Sequence, residues 1–112
     1  MLNINDEADG ITVVDLAEDN LTASNAGQFR SMLAETIQEG RLRLVIDLQG
    51  VSYVDSSGLG ALVGILKRLG AKGDLVICAV GPAVMSVFKL TRMDKVFAIE
   101  TTRQAAIERL SR

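Results

Sequence analysis

Residues 42–60 read LRLVIDLQGVSYVDSSGLG, an apolar run that breaks off into an aspartate, two serines and two glycines. Leu44, Val45, Ile46 and Leu48 follow no clean apolar–polar alternation, the pattern of a strand covered on both faces. Beyond the break, Leu59, Leu62, Val63 and Leu66 recur at helical spacing, which predicts a helix ending near Gly70. A buried strand feeding directly into a helix is half of a parallel βαβ unit, and Asp55, Ser56 and Ser57 fall at its junction.

The flanks repeat that unit. Towards the N-terminus, MLNI and ITVVDL are short apolar runs separated by DEADG, where Asp9-Gly10 supplies turn chemistry, so an antiparallel hairpin is expected. From Asn25 to about Glu39 the spacing of Ala26, Phe29, Leu33 and Ile37 is helical; Asn25 with Gln28 resembles a capping pair, and Gly40 suits the position past the end. Towards the C-terminus, DLVICAV reads as a buried strand. Gly81-Pro82 opens a third helix with Val84, Val87, Phe88 and Thr91 on one side, KVFAIE reads as the last strand, and Thr101 with Gln104 resembles a capping box. The order β-β-α-β-α-β-α-β-α implies a single α/β domain over residues 1–112. Its sheet is mainly parallel with right-handed crossovers, an N-terminal antiparallel hairpin and about four helices.

Composition narrows the function classes. The chain has 112 residues, 48% of them hydrophobic and only 4% aromatic, enough for one aliphatic core. Twelve basic against fourteen acidic residues give a net charge of −2, too acidic for a protein that grips nucleic acid by neutralising phosphates. The single cysteine, Cys78, lies within DLVICAV and is read as a buried reduced thiol. No stretch approaches the roughly 20 apolar residues of a membrane span. The opening MLNINDEADG lacks the basic start and apolar centre of a signal peptide. Together these point to the cytoplasm, with no direct membrane insertion.

The Asp55–Gly60 junction stands where α/β proteins place functional groups, at the carboxyl end of a strand and the amino end of a helix. There the free N–H groups and helix dipole favour an anion, and one serine can serve simply as the cap. Glycine inside a helix costs about 1 kcal/mol against alanine, so Gly58 and Gly60 in one first turn need a further reason. Without side chains they leave both hydroxyls accessible. Gly64 extends the strip and is read as close packing of helix on sheet. Enzyme signatures are missing: there is no G-x-S-x-G and no histidine, so no Ser-His-Asp triad can be built. The glycines miss the G-x-G-x-x-G dinucleotide spacing, no GK[ST] is present, and a chain without histidine and with one buried cysteine suits no transition metal. NDEAD is read as a solvated turn rather than a cation site. What remains is a serine offered to another protein's chemistry: a phosphate there adds about two negative charges beside Asp55, turning a docking surface repulsive.

These residues resemble the STAS domains (sulfate transporter and anti-sigma factor antagonist), specifically the small bacterial anti-sigma factor antagonists. The resemblance spans nearly the whole chain in length and element order. It is most specific in VIDLQGVSYVDSSGLGALVGILKRL, residues 45–69, and continues through GDLVICAVGPAVMSVFKLTRMDKVF, residues 73–97. It implies a non-catalytic antagonist that, when unphosphorylated, binds an anti-sigma factor that is also a serine kinase and so frees the sigma factor. The implied phosphorylation site is Ser56, with Ser57 the second candidate, and a serine phosphatase resets the switch. The implied partner-binding residues are Asp55, Ser56, Ser57, Gly58, Leu59, Gly60 and Thr22; no metal or cofactor is implied. One departure stands out: close relatives carry a segment like G-E-L-D, whereas this chain reads AEDNLTASNA with Thr22 at the aspartate position, leaving Asp19 or Glu18 as substitutes.

Two other readings use the same residues. STAS domains also serve as constitutive accessory or scaffold subunits, for example of lipid-transport ATPases, without serine modification; a third reading is direct binding of a nucleotide or small anion at the Ser56–Gly60 turn. Lys67, Arg68 and Lys72 are read as a solvated helix end, and Met85, Phe88 and Met93 as core.

Overall fold

The computed structural model describes residues 2–112; Met1, in the expected first strand, lies outside the described residues. Strand β1 (Leu2–Asp6) pairs antiparallel with β2 (Ile11–Leu16), from Leu2 opposite Leu16 to Asp6 opposite Thr12. The hairpin turn closes through two left-handed residues, Asp9 at φ 63° and Gly10 at φ 72°, as the sequence predicts. β4 (Arg43–Asp47), β6 (Asp74–Cys78) and β7 (Ala98–Glu100) join β2 in parallel, giving the order β1-β2-β4-β6-β7.

Four helices cover this sheet: α1 (Ala26–Gln38), α2 (Ser56–Leu69), α3 (Pro82–Leu90) and α4 (Arg103–Leu110). The strands lack alternation because both faces are covered. Leu44, Ile46, Leu75 and Ile77 meet Phe29, Leu33, Leu62, Ile65, Val84 and Phe88 of α1, α2 and α3. Val13, Val45, Val76 and Cys78 meet Ala106 and Leu110 of α4 on the opposite face. Each fully buried aliphatic or aromatic side chain contributes about 1.5–3 kcal/mol.

The structure revises several local expectations. Two short strands, β3 (Asn20–Leu21) and β5 (Tyr53–Val54), form a separate parallel pair beside the main sheet. Two-residue strands carry no readable period, so VSYV looked like a continuation of the core strand. The expected Asn25–Gln28 capping pair does not form: Asn25 instead braces the preceding loop, accepting from the Thr22 N–H at 2.8 Å and donating to the Asn20 carbonyl at 2.8 Å. At the last helix the cap is Thr102 rather than Thr101, its hydroxyl accepting from the Ala105 N–H at 3.0 Å. The last strand is shorter than KVFAIE because residues 93–95 coil into a 3-10 turn. Thr91 ends α3 rather than lying along its buried side, its hydroxyl donating to the Val87 carbonyl at 2.7 Å. In NDEAD, Asp6 is held by Arg41 at 3.0 Å and Thr12 at 3.0 Å; the guanidinium, first, and the hydroxyl lower its pKa.

Candidate functional site at the start of helix α2

The helix begins at Ser56, and its cap is Asp55 rather than a serine. Asp55 has extended backbone (φ −101°, ψ −173°), and its Oδ1 accepts from the Gly58 N–H at 2.9 Å. Its Oδ2 accepts from the Ala23 N–H at 3.1 Å, tying the loop between β3 and α1 to the start of α2. These bonds, Gly58 first and then Ala23 and Ser57, hold the carboxyl below the usual carboxylate range against a smaller opposing effect of burial. The helix N-terminus that would attract an external anion is therefore already occupied by the chain's own carboxylate. That disfavours the nucleotide or small-anion reading of this turn.

The two serines follow as the first two helical residues, both exposed and neither serving as cap. Gly58 and Leu59 are buried, so they frame the site from below. The two glycines have different causes. A Cβ on Gly58 would stand 2.1 Å from the Leu21 carbonyl oxygen and 3.0 Å from Val54 Cγ1, so only glycine lets α2 seat against β3 and β5. A Cβ on Gly60 would meet nothing within 4 Å; its bareness serves no internal contact and leaves the exposed first turn flat. Gly64 packs not on the sheet, as the sequence suggested, but beneath Arg30 of α1, whose Nε lies 3.0 Å from where a Cβ would be.

Thr22 reaches the site through its backbone neighbourhood: it precedes Ala23, the residue bonded to Asp55. Its hydroxyl lies 2.9 Å from Ser24 Oγ and donates to Asn20 Oδ1 at 3.2 Å. A cleft of about 360 Å³ is lined by Thr22, Ser24, Asn20, Ser52, Tyr53 and Asp19, whose Oδ1 accepts from the Asn20 side chain at 2.7 Å. The Asp19 carbonyl also accepts from the Ser52 N–H at 2.8 Å, joining this loop to the β5 segment. Two surface features escaped sequence reasoning. Tyr53, 59% exposed, sits in an apolar run that looked buried throughout. Arg30 closes a groove of about 380 Å³ between α1 and α2 that Ala23, Ala26, Gly27, Ser57, Gly60 and Ala61 also line; the signal was the helical spacing of Ala23, Ala26, Gly27 and Arg30.

Residues 4–106 match the profile of the family described as STAS domain. The chain belongs to the STAS domain family. Among curated relatives of this STAS domain, BtrV of Bordetella bronchiseptica, named as a candidate anti-sigma factor antagonist, is 31% identical over 102 residues, covering 90% of this chain and 87% of that protein. The anti-sigma F factor antagonist of Paenibacillus polymyxa is 27% identical over 103 residues, with 90% and 87% covered. Among solved structures, an anti-sigma factor antagonist from Mycobacterium paratuberculosis superposes with a TM-score of 0.90 at 26% identity, covering 100% of this chain and 94% of that one. The β-hairpin, the mainly parallel sheet and the four helices described above are thus those of a STAS domain.

Proposed function

We propose that this STAS domain is the antagonist in a partner switch. Unphosphorylated, it docks on an anti-sigma factor that is also a serine kinase, through the first turn of α2 and the adjoining β3–α1 loop, and thereby frees a sigma factor. The kinase transfers the γ-phosphoryl of ATP to Ser56 Oγ: the new O–P bond forms as the bond to the departing ADP breaks, and the hydroxyl proton leaves to the kinase or to solvent. A phosphatase reverses the modification by hydrolysis. The domain is a substrate and binding partner in this scheme, not the catalyst. Its work is done in the cytoplasm.

The observation that carries the reading is the pairing of an exposed serine with a carboxylate already seated on the helix N-terminus. A phosphate on Ser56 adds about two negative charges next to Asp55, where the helix dipole is already answered. The fold survives, since Ser56 Oγ makes no side-chain bond among the described residues to lose, while the contact surface turns strongly anionic. The names of the relatives support the same role. Asp55 shapes the site, Ser57 and Gly60 lie on the exposed face of the turn, and Asp19 with Thr22 forms its flank.

The test is reconstitution with the kinase-type anti-sigma factor encoded by the same organism. Ser56→Ala should bind it and resist phosphorylation; Ser56→Asp should fold with an unchanged circular dichroism spectrum and bind at least tenfold more weakly. Equal binding by both variants refutes the switch. Phosphopeptide mapping that finds Ser56 unmodified under all growth conditions, with transporter or scaffold subunits co-purifying, supports the constitutive accessory role instead.

A further inference from the structure

The end of the domain opposite Ser56 carries features that the partner switch does not use. Helix α2 has 14 residues, so its C-terminus lies about 20 Å from Ser56 at 1.5 Å per residue. There it leads into β6, and the turn after α3 leads into β7, the neighbouring strand. Lys67, Arg68 and Lys72 lie at or just past the end of α2, and Lys89, Arg92 and Lys95 at the end of α3 and in its turn. All six are exposed, and among the described residues none has a carboxylate within salt-bridge distance; Asp74 and Asp94 are the acids nearest in sequence.

The same turn exposes large apolar side chains. Leu90 is 85% exposed and Val96 49%. Between them Arg92 adopts the left-handed conformation, φ 63° and ψ 16°, which costs a non-glycine residue stability. Helix C-termini favour cations through the dipole, which accounts for Lys67, Arg68 and Lys89. It does not account for the bare leucine or for an arginine where glycine would fit without strain.

From this turn we infer that residues 89–96, with the basic end of α2, form a peripheral docking surface for an anionic phospholipid bilayer. At 85% exposure Leu90 has almost no wall around it. A peptide or folded partner would have to supply the whole pocket, whereas a bilayer supplies it unaided. The cations beside it match the headgroup charge. Docked this way, the domain holds Asp55 and Ser56, at the other end of α2, away from the lipid and open to the kinase. No helix among the described residues is long and apolar enough to cross a membrane, so the attachment is peripheral and reversible.

The experiment is co-sedimentation of the whole chain with vesicles of pure phosphatidylcholine and with vesicles of equal parts phosphatidylcholine and phosphatidylglycerol. Binding is expected to the mixed vesicles alone and to vanish at high salt. Each Lys→Gln or Arg→Gln change at 89, 92 or 95 should lower the partition coefficient about fivefold, and Leu90→Ser about tenfold. Arg92→Gly gives a readout that general misfolding cannot mimic: it should weaken vesicle binding about fivefold while raising the melting temperature by roughly 3 °C, because the left-handed strain is relieved. Absence of binding to the mixed vesicles overturns the proposal. So does unchanged binding by the Lys89→Gln/Arg92→Gln/Lys95→Gln variant, or charge-dependent retention on immobilised polyglutamate with none on vesicles, which would assign the surface to an acidic protein.

Discussion

Replacing either glycine of DSSGLG with alanine adds the same methyl group two residues apart, and the structure demands opposite outcomes. At Gly58 the new Cβ would lie 2.1 Å from the Leu21 carbonyl oxygen and 2.9 Å from its carbon, both backbone atoms, with Val54 Cγ1 at 3.0 Å. Relief requires α2 to move off the β3–β5 pair, disturbing the Asp55 bonds to Gly58 and Ala23. Overpacking of this kind costs about 1–3 kcal/mol, occasionally more, and a contact this short with backbone belongs at the upper end, so about 3 kcal/mol is expected. At Gly60 the Cβ meets nothing within 4 Å, and alanine gains its helix propensity, about 0.5–1 kcal/mol. For a domain of this size about 1 kcal/mol moves the melting temperature by roughly 4 °C. Gly58→Ala should therefore melt roughly 12 °C below wild type, and Gly60→Ala roughly 2–4 °C above it. Thermal unfolding followed by circular dichroism, with urea titration to confirm equal m-values, measures both. A Gly58→Ala protein as stable as wild type, or a Gly60→Ala protein less stable, refutes the assignment of the first glycine to packing and the second to an open surface.

Three further outcomes follow from buried and capping groups. Arg103→Met removes the guanidinium that donates to Asp47 at 2.9 Å and to Asp15 at 3.2 Å, leaving the Asp47 side chain, 1% exposed, with the Gln49 N–H as its remaining bond among the described residues. A loss of about 3 kcal/mol in urea unfolding is expected, and one below about 0.5 kcal/mol, the usual range of neutral surface changes, would refute the role of this pair. Asp55 and Asp6 both have lowered folded pKa values, so their stabilisation is complete above the unfolded value of about 3.9 and is lost as pH falls through the lowered folded values. Asp55→Asn should flatten the acid limb of a stability–pH curve, and an unchanged slope would contradict the bonding described. Burial, first, and Asp47 push the Cys78 thiol to about 12, so at pH 8 only about one molecule in ten thousand carries the thiolate, against about a quarter for a free cysteine. Iodoacetamide should label it only upon unfolding; rapid labelling of the folded protein would show that the strand end opens.

The order of the main elements was legible because it rests on long patterns, and the candidate site stood out because its residues are unusual at a strand-to-helix junction. The buried strands β4 and β6 announced themselves by largely apolar runs without alternation, and the α2 face by the spacing of Leu59, Leu62 and Leu66. What escaped depends on contacts distant in sequence. The partner of Asp55 on its second oxygen is Ala23, 32 residues earlier, and nothing local distinguishes it from a simple cap. The β3–β5 pair has two residues in each strand, below any period. Gly58 and Gly60 look alike in the sequence, and only the position of the Leu21 carbonyl separates them. Capping boxes misled at Asn25 and Thr101 because neighbouring polar residues compete for the same N–H groups, and the backbone path decides which wins.

The row formed by Asp15, Asp47, Cys78 and Glu100 across the ends of four parallel strands has a bearing on how the chain is made. Among the described residues, Asp15 and Asp47 receive their cation only from Arg103, and Glu100 from Arg109, both on the last helix. During synthesis the strands emerge first and in order, but burying Asp47 before residue 103 has left the ribosome would strand a carboxylate in the core. Final packing of the central strands is therefore expected to wait for α4. A chain cut back to residue 102 should present an open, protease-sensitive sheet, and the chain of residues 1–112 a closed one.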